Sequence, residues 1–273
     1  MVIGDKWVDL STVQVMGIVN VTPDSFYDGS RSESIEDILS TVKDMLNSGA
    51  TIIDIGGYSS RPGAEHISIE EEIGRIVPAI TSIRSVFPEV IISLDTFRSE
   101  VAEAGIIAGA NIINDISGFS IDSKIIDVVI KHKVPYILMH MRGTPETMQQ
   151  ETEYENLFKD VYKYLSEKIA YLEEKGVKDI IIDLGFGFAK TIEQNHFLLQ
   201  NLHHFQALEK PILLGVSRKS MIYKKLGVTQ KEALNGTIAL NAIGVSKGVS
   251  ILRVHDIKEA VEVVQLLEGK ESI

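Results

Sequence analysis

Short apolar runs recur along this chain at near-regular intervals, and most close on a polar residue or just before one. They cover residues 15–20, 51–55, 90–95, 112–116, 135–140, 180–183, 212–216 and 251–254. They are near-continuous and rich in Val and Ile, the mark of strands buried on both faces, although Asn114-Asp115 interrupts the fourth. Between them lie amphipathic stretches at helical spacing, residues 35–47, 68–86, 99–107, 121–131, 154–174, 191–202, 231–247 and 257–267. Ser68 and Glu71 have the spacing of a capping box, and Gly49, Gly109 and Gly176 stand where helices would end. Eight strands alternating with eight helices predict an α/β architecture with a parallel sheet. That number favours a closed (β/α)8 TIM barrel over an open doubly wound sheet. A Gly-x-Gly-x-x-Gly turn after the first run is absent, which weakens the dinucleotide-binding alternative. Residues 2–10, with Gly4-Asp5 at the turn, predict a short N-terminal hairpin. No linker or low-complexity tract interrupts the pattern, so residues 1–273 are expected to form a single barrel domain.

Composition narrows the function classes. At 273 residues and 44% hydrophobic, the chain can bury a substantial core. The net charge of −11 argues against a large nucleic-acid footprint, so any anion site must be a local cluster of Lys and Arg. With no cysteine, thiolate nucleophiles, disulfides and zinc–thiolate sites are excluded. The first ten residues carry Asp5, Lys6 and Asp9 rather than a signal-peptide core, and no run approaches the length of a membrane span. The expectation is a soluble cytoplasmic protein with no nucleic-acid or membrane partner.

Active sites of such barrels lie at the C-terminal ends of the strands. Standing there are Asn20, Asp54, Asp95, Asn114, Met139-His140, Asp183, the Ser217-Arg218-Lys219-Ser220 run, and Arg253 with His255. Singly, each has a plainer reading: an Asp that caps a helix, a solvated Arg or His. Polar groups at every strand end are harder to dismiss, because unpaired burial costs roughly 1–3 kcal/mol per group. Asp54, Asp95, Asn114 and Asp183 supply acceptors and one amide, which suits a flat heterocycle rich in N–H groups. Arg61, Lys219, Arg253 and His255 suit a phosphate or carboxylate, helped by a helix N-terminus near Ser217–Ser220. Asn20 is neutral and oxygen-bearing, fit to ligate Mg²⁺ beside phosphate oxygens. Between the first run and the first helix lies the polar stretch Thr22–Arg31, expected to act as a lid.

These residues resemble a known family. Met16-Gly17-Ile18-Val19-Asn20-Val21-Thr22-Pro23-Asp24-Ser25-Phe26 resembles the first signature of the dihydropteroate synthases. Asp54-Ile55-Gly56-Gly57 with Ser59-Ser60-Arg61-Pro62-Gly63 resembles the second. The resemblance continues through Asp95-Thr96, Asn114-Asp115, Met139-His140, Asp183 with Gly185–Lys190, Ser217-Arg218-Lys219 and Arg253-Val254-His255. Departures are modest: Tyr58 where relatives often carry Glu or a small residue, Ser60 for a common Thr, and Leu184 for a usual Pro.

The resemblance implies an enzyme of folate synthesis and a sulfonamide target. It would join 6-hydroxymethyl-7,8-dihydropterin diphosphate to 4-aminobenzoate, giving 7,8-dihydropteroate and diphosphate, with Mg²⁺ as cofactor and a homodimer as the assembly. By motif match, Asp95, Asn114, Asp183 and Lys219 would hold the pterin, with Met139 beside it. Asn20, Arg61, Arg253 and His255 would hold the diphosphate, with Mg²⁺ at Asn20. Phe188, Lys219, Ser220 and Pro62 would shape the aminobenzoate site, and Asp54 and Ser60 belong to the same substrate surface. Asp95, Arg61, Lys219, Arg253 and His255 are the expected catalytic groups. A pterin-dependent methyltransferase domain shares the barrel but needs no diphosphate site. A non-catalytic pterin binder would lack the anion residues, and a sugar-phosphate barrel would lack the first-strand loop.

Overall fold

The computed structural model describes residues 1–21, 31–59 and 66–268. A small antiparallel hairpin, β1 (Val2–Ile3) and β2 (Lys6–Trp7), leads the chain. The barrel strands follow: β3 (Gln14–Asn20), β4 (Ile52–Gly56), β5 (Ile91–Asp95), β6 (Ile112–Asp115), β7 (Tyr136–Met139), β8 (Ile180–Asp183), β9 (Ile212–Leu214) and β10 (Ile251–Val254). They pair in parallel in chain order, and β10 closes onto β3. Around them run α1 (Arg31–Asn47), α2 (Ile69–Val86), α3 (Ser99–Ala108), α4 (Ile125–His132), α5 (Leu157–Glu174), α6 (Ile192–Gln200), α7 (Ser220–Leu226), α8 (Leu234–Ser246) and α9 (Ile257–Leu267).

The period of two sorts the strand residues into two cores. One parity, including Val15, Ile53, Leu94, Leu138, Ile182 and Leu214, points outward into the apolar layer shared with the helices. The other parity brings Met16, Ile52, Ile91, Ile112, Ile137, Ile181, Leu213 and Ile251 together inside the barrel, where Ile3 and Val8 complete the cluster. The N-terminal segment is therefore part of the barrel's interior packing. Two residues further along the same inward parity, most of the strands turn polar, at Asp54, Ser93, Asn114, Asp183 and Arg253.

Helix boundaries differ from the sequence pattern at several places for local reasons. The stretch expected at 231–247 forms α8, and a short helix that the pattern does not predict, α7, precedes it and ends at Gly227, which adopts φ +69 at its C-cap. Such a left-handed cap ends a helix. The fourth helix starts at Ile125 rather than 121, since Asp122 accepts from the backbone N–H groups of Ser99 and Lys124 and holds a turn there. Asn156 caps α5 by accepting from Lys159 N–H at 3.0 Å, which moves the start from 154 to Leu157. Ser68 caps α2 as expected, accepting from Glu71 N–H.

Candidate active site

The inward polar layer is built by register. Ile18 pairs with Asp54 and Asp54 with Ser93 across neighbouring strands. One step higher Gly56 pairs with Asp95, and Asp95 with Asn114. Asp183 pairs with Met139 on one side and Leu213 on the other. The carboxylates and the amide thus form a ring on the apolar floor of the barrel.

Arg253 organises this ring. Its Nε donates to Asp54 Oδ2 at 2.6 Å and its Nη2 to Asp95 Oδ2 at 2.7 Å. Asn114 Nδ2 donates to the Asp54 carboxylate at 3.2 and 3.3 Å. Asp54 is wholly buried and tolerates it because both neighbours donate to it. Burial would lower the Arg253 pKa, but the Asp54 and Asp95 carboxylates outweigh it and raise the value. Burial lifts the Asp95 carboxyl to about 7, against the pull of Arg253 and with added repulsion from Asp54. The Ser93 hydroxyl, buried in the same layer, has no hydrogen-bond partner among the described residues.

Lys219 and Asp183 form a second group. Asp183 Oδ1 accepts from Gly185 N–H at 2.7 Å, and burial raises its pKa while Lys219 opposes the rise. Lys219 Nζ donates to the Phe186 carbonyl at 2.6 Å and lies 4.7 Å from the centroid of the Phe188 ring. Burial brings the Lys219 pKa down to about 8, and the Asp183 charge resists. Met139 is buried in an apolar wall with Phe97, Ile116, Met141, Met148 and Ala189, against which Tyr58 and Phe188 pack. Ser220, at the first position of α7, is half-buried. His255 meets Ser217, with Nδ1 at 2.9 Å from Oγ and its backbone N–H donating to the same oxygen at 3.2 Å.

Most of the expected site residues therefore meet at one mouth, with Asn20 exposed at the end of β3. Arg253, expected on the diphosphate, bridges two floor carboxylates, because its inward position on β10 faces Asp54 and Asp95 across the barrel. Ser60, Arg61, Pro62 and the proposed lid residues 22–30 lie outside the described residues. Sequence reasoning missed two buried networks. Glu72 accepts from Arg98 at 2.9 Å and from the Thr96 hydroxyl at 2.9 Å, while Arg98 donates to the Ile67 carbonyl at 2.9 Å. Lys190 and His140, both nearly fully buried, meet at 2.9 Å. Burial brings the Lys190 pKa down to about 7 and holds His140 well below its usual value. Their local sequence carries no signal of the pairing: Glu72 follows two other glutamates, Arg98 stands between Phe97 and Ser99, and His140 and Lys190 enter only as parts of strand-end runs and family motifs.

Comparison with known proteins follows the same geometry. Residues 16–255 match the family model of the pterin binding enzymes, so the class is a pterin-binding barrel. A dihydropteroate synthase of Escherichia coli K12 is 43% identical over 263 residues, covering 96% of this chain and 93% of that one. The structure of a Yersinia pestis dihydropteroate synthase in complex with a sulfonamide drug aligns with a TM-score of 0.92 at 37% identity, covering 100% of this chain and 98% of that chain. A Xanthomonas albilineans dihydropteroate synthase with 4-aminobenzoic acid aligns at 0.89 and 34% identity, covering 97% and 95%. The chain belongs to the dihydropteroate synthase family, pterin-binding transferases of folate biosynthesis.

Proposed function

We propose that this chain condenses 6-hydroxymethyl-7,8-dihydropterin diphosphate with 4-aminobenzoate to give 7,8-dihydropteroate and diphosphate. The observation that carries the reading is the Asp54–Asn114–Asp95–Asp183 layer, seated on an apolar floor and crossed by Arg253. Acceptors and one amide, fixed by strand register, match the N–H-rich edge of a reduced pterin, and the Met139 wall offers its face an apolar contact.

The chemistry is a substitution at the pterin methylene. The C–O bond to diphosphate breaks with its electron pair going to the leaving oxygen. The cation left behind is delocalised over the ring. Asp95, when ionised, stabilises that charge from within a low-dielectric mouth. The arylamine nitrogen then forms the C–N bond and gives its proton to solvent. Lys219 orients the pterin, and with Phe188 and Ser220 it shapes the arylamine side. His255, joined by Arg61 and by Arg253 once it exchanges its carboxylate partners, takes up the charge of the leaving group.

Asn20 is the residue that would hold Mg²⁺. Among the described residues no group of three or more His, Asp or Glu side chains could hold a metal ion by itself. Asn20, exposed at the end of β3, would supply one neutral oxygen to an ion that takes its other ligands from diphosphate and water, and that ion would neutralise charge on the leaving group. We read the assembly as a homodimer through the outer helices that follow the sixth to eighth barrel strands. Phe197, Leu226 and Ile243 support this by exposing large apolar side chains on α6, α7 and α8. A monomer mass in light scattering would refute it. No helix among the described residues is long and apolar enough to cross a membrane, which agrees with a cytoplasmic location.

One assay tests the reaction: the chain is incubated with the pterin diphosphate, 4-aminobenzoate and Mg²⁺, and diphosphate release is followed. Release that depends on the arylamine is expected. Release without it would make the chain a hydrolase, and no release in either case would sink the proposal.

A further inference from the structure

The segment after β8, residues 184–190, has no repeating structure of its own. Gly185, Gly187 and Ala189 adopt φ of +69, +84 and +49, which breaks any regular backbone ladder. Within the loop the Gly185 carbonyl accepts from Phe188 N–H at 3.1 Å, and the other partners are mostly side chains. Asn195 Oδ1 accepts from Gly187 N–H at 2.7 Å, Gln149 Nε2 donates to the Gly187 carbonyl at 3.2 Å, and Tyr154 donates to the Ala189 carbonyl at 2.8 Å. The centre of the loop is held by its own last residue. Lys190 Nζ donates to the Gly185 carbonyl at 3.0 Å and to the Phe188 carbonyl at 3.0 Å, and meets His140 Nδ1 at 2.9 Å. An ammonium has three donors, and all three find acceptors here in the tautomer that leaves Nδ1 unprotonated.

His140 closes the clamp from the other side. It is only 1% exposed, and its backbone N–H donates to the Asp183 carbonyl at 3.0 Å. Its ring also meets Tyr164 edge-on, with centroids 4.7 Å apart. The loop comes so close that a Cβ on Gly185 would collide with the His140 carbonyl. What the clamped loop presents to the mouth is the Phe186 carbonyl, which accepts from Lys219, and the Phe188 ring, over which the Lys219 ammonium lies.

We propose that Lys190 is a positioning residue: by gathering the Gly185 and Phe188 carbonyls onto His140 it sets the place of the Phe188 ring, and so the affinity for the arylamine. The inference rests on the reading above that Phe188 shapes the arylamine side. It makes Lys190 a residue that touches no substrate and acts through the loop.

The test compares the whole chain with Lys190→Met, which keeps the length and removes the donors, and with Lys190→Gln, which keeps two. Amide hydrogen exchange of a peptide spanning 184–190 is expected to quicken about tenfold in Lys190→Met, since buried acceptors lose their partner. The KM for 4-aminobenzoate should rise roughly tenfold while that for the pterin diphosphate stays within about twofold, with partial recovery in Lys190→Gln. Unchanged exchange would overturn the inference, as would equal rises in both KM values, which would mean general loosening. If Lys190→Met does not fold, Lys190→Gln carries the same comparison with smaller shifts. If the wild-type chain shows no arylamine-dependent release, the proposed reaction falls, and the exchange comparison still decides the anchoring role.

Discussion

Asp95 is where one side chain meets conflicting demands. It sits in a ring with Asp54 and shares Arg253 with it, and burial lifts its carboxyl to about 7. Because that value is raised, the native chain keeps a proton that an unfolded Asp releases near about 4. Ionising Asp95 inside the fold therefore costs stability as pH climbs from about 4 to about 7, and the cost is absent below that window. The catalytic reading needs the ionised form, so kcat/KM should rise through an acidic limb near pH 7. Asp95→Asn should flatten that limb and lower kcat by about 10²-fold with pterin binding retained. A pH profile with turnover near wild type would show that Asp95 does not stabilise the cation. The residue itself was legible in the sequence, as a carboxylate ending a continuous apolar run. Its sharing of Arg253 with Asp54 was not, because Asp54 and Arg253 lie 199 positions apart and only barrel closure joins them.

At the scale of the element, capping decides boundaries that hydrophobic spacing leaves open. The apolar periodicity before α5 runs on past its true start, and Asn156 ends it by accepting from Lys159 N–H. Asn156→Ala should cost about 1 kcal/mol. Differential scanning calorimetry should show Tm lower by about 2–4 °C with both KM values unchanged, since α5 lies outside the mouth. The same competition explains α7 and α8. The sequence pattern predicts only the stretch at 231–247, which is α8, and misses α7 before it; the left-handed Gly227 and the Thr229–Glu232 capping box turn the chain between them. The loop after β8 is a stronger case. Its glycines announce a turn, yet nothing local says that Lys190 folds back onto His140 fifty residues away.

The whole molecule works as a barrel with two unlike ends. At one end the inward side chains are polar and converge on the mouth; below them the interior is packed with Met16 and a ring of Ile and Leu. Ile3, only 1% exposed, joins that ring although its hairpin lies outside the barrel. Ile3→Ala should destabilise by about 2–5 kcal/mol, because the void left in a closed barrel cannot collapse easily. Thermal melting should register the loss while the KM values hold, the mouth being at the opposite end. A change in pterin KM of more than about threefold would show that the interior packing transmits to the site.

The order of strands and helices, the barrel, the residues at the strand ends and the family resemblance were determined by the sequence alone. They could be, because strand parity, helical spacing and caps are local rules that a linear reading can apply. Tertiary structure alone decided who pairs with whom: Arg253 with Asp54 and Asp95, Lys219 with Phe186, Lys190 with His140, Glu72 with Arg98. Each is a contact between distant segments whose geometry exists only once the barrel closes, and burial then makes the pairing obligatory, since an unpartnered charge in that interior would cost more than the fold can bear.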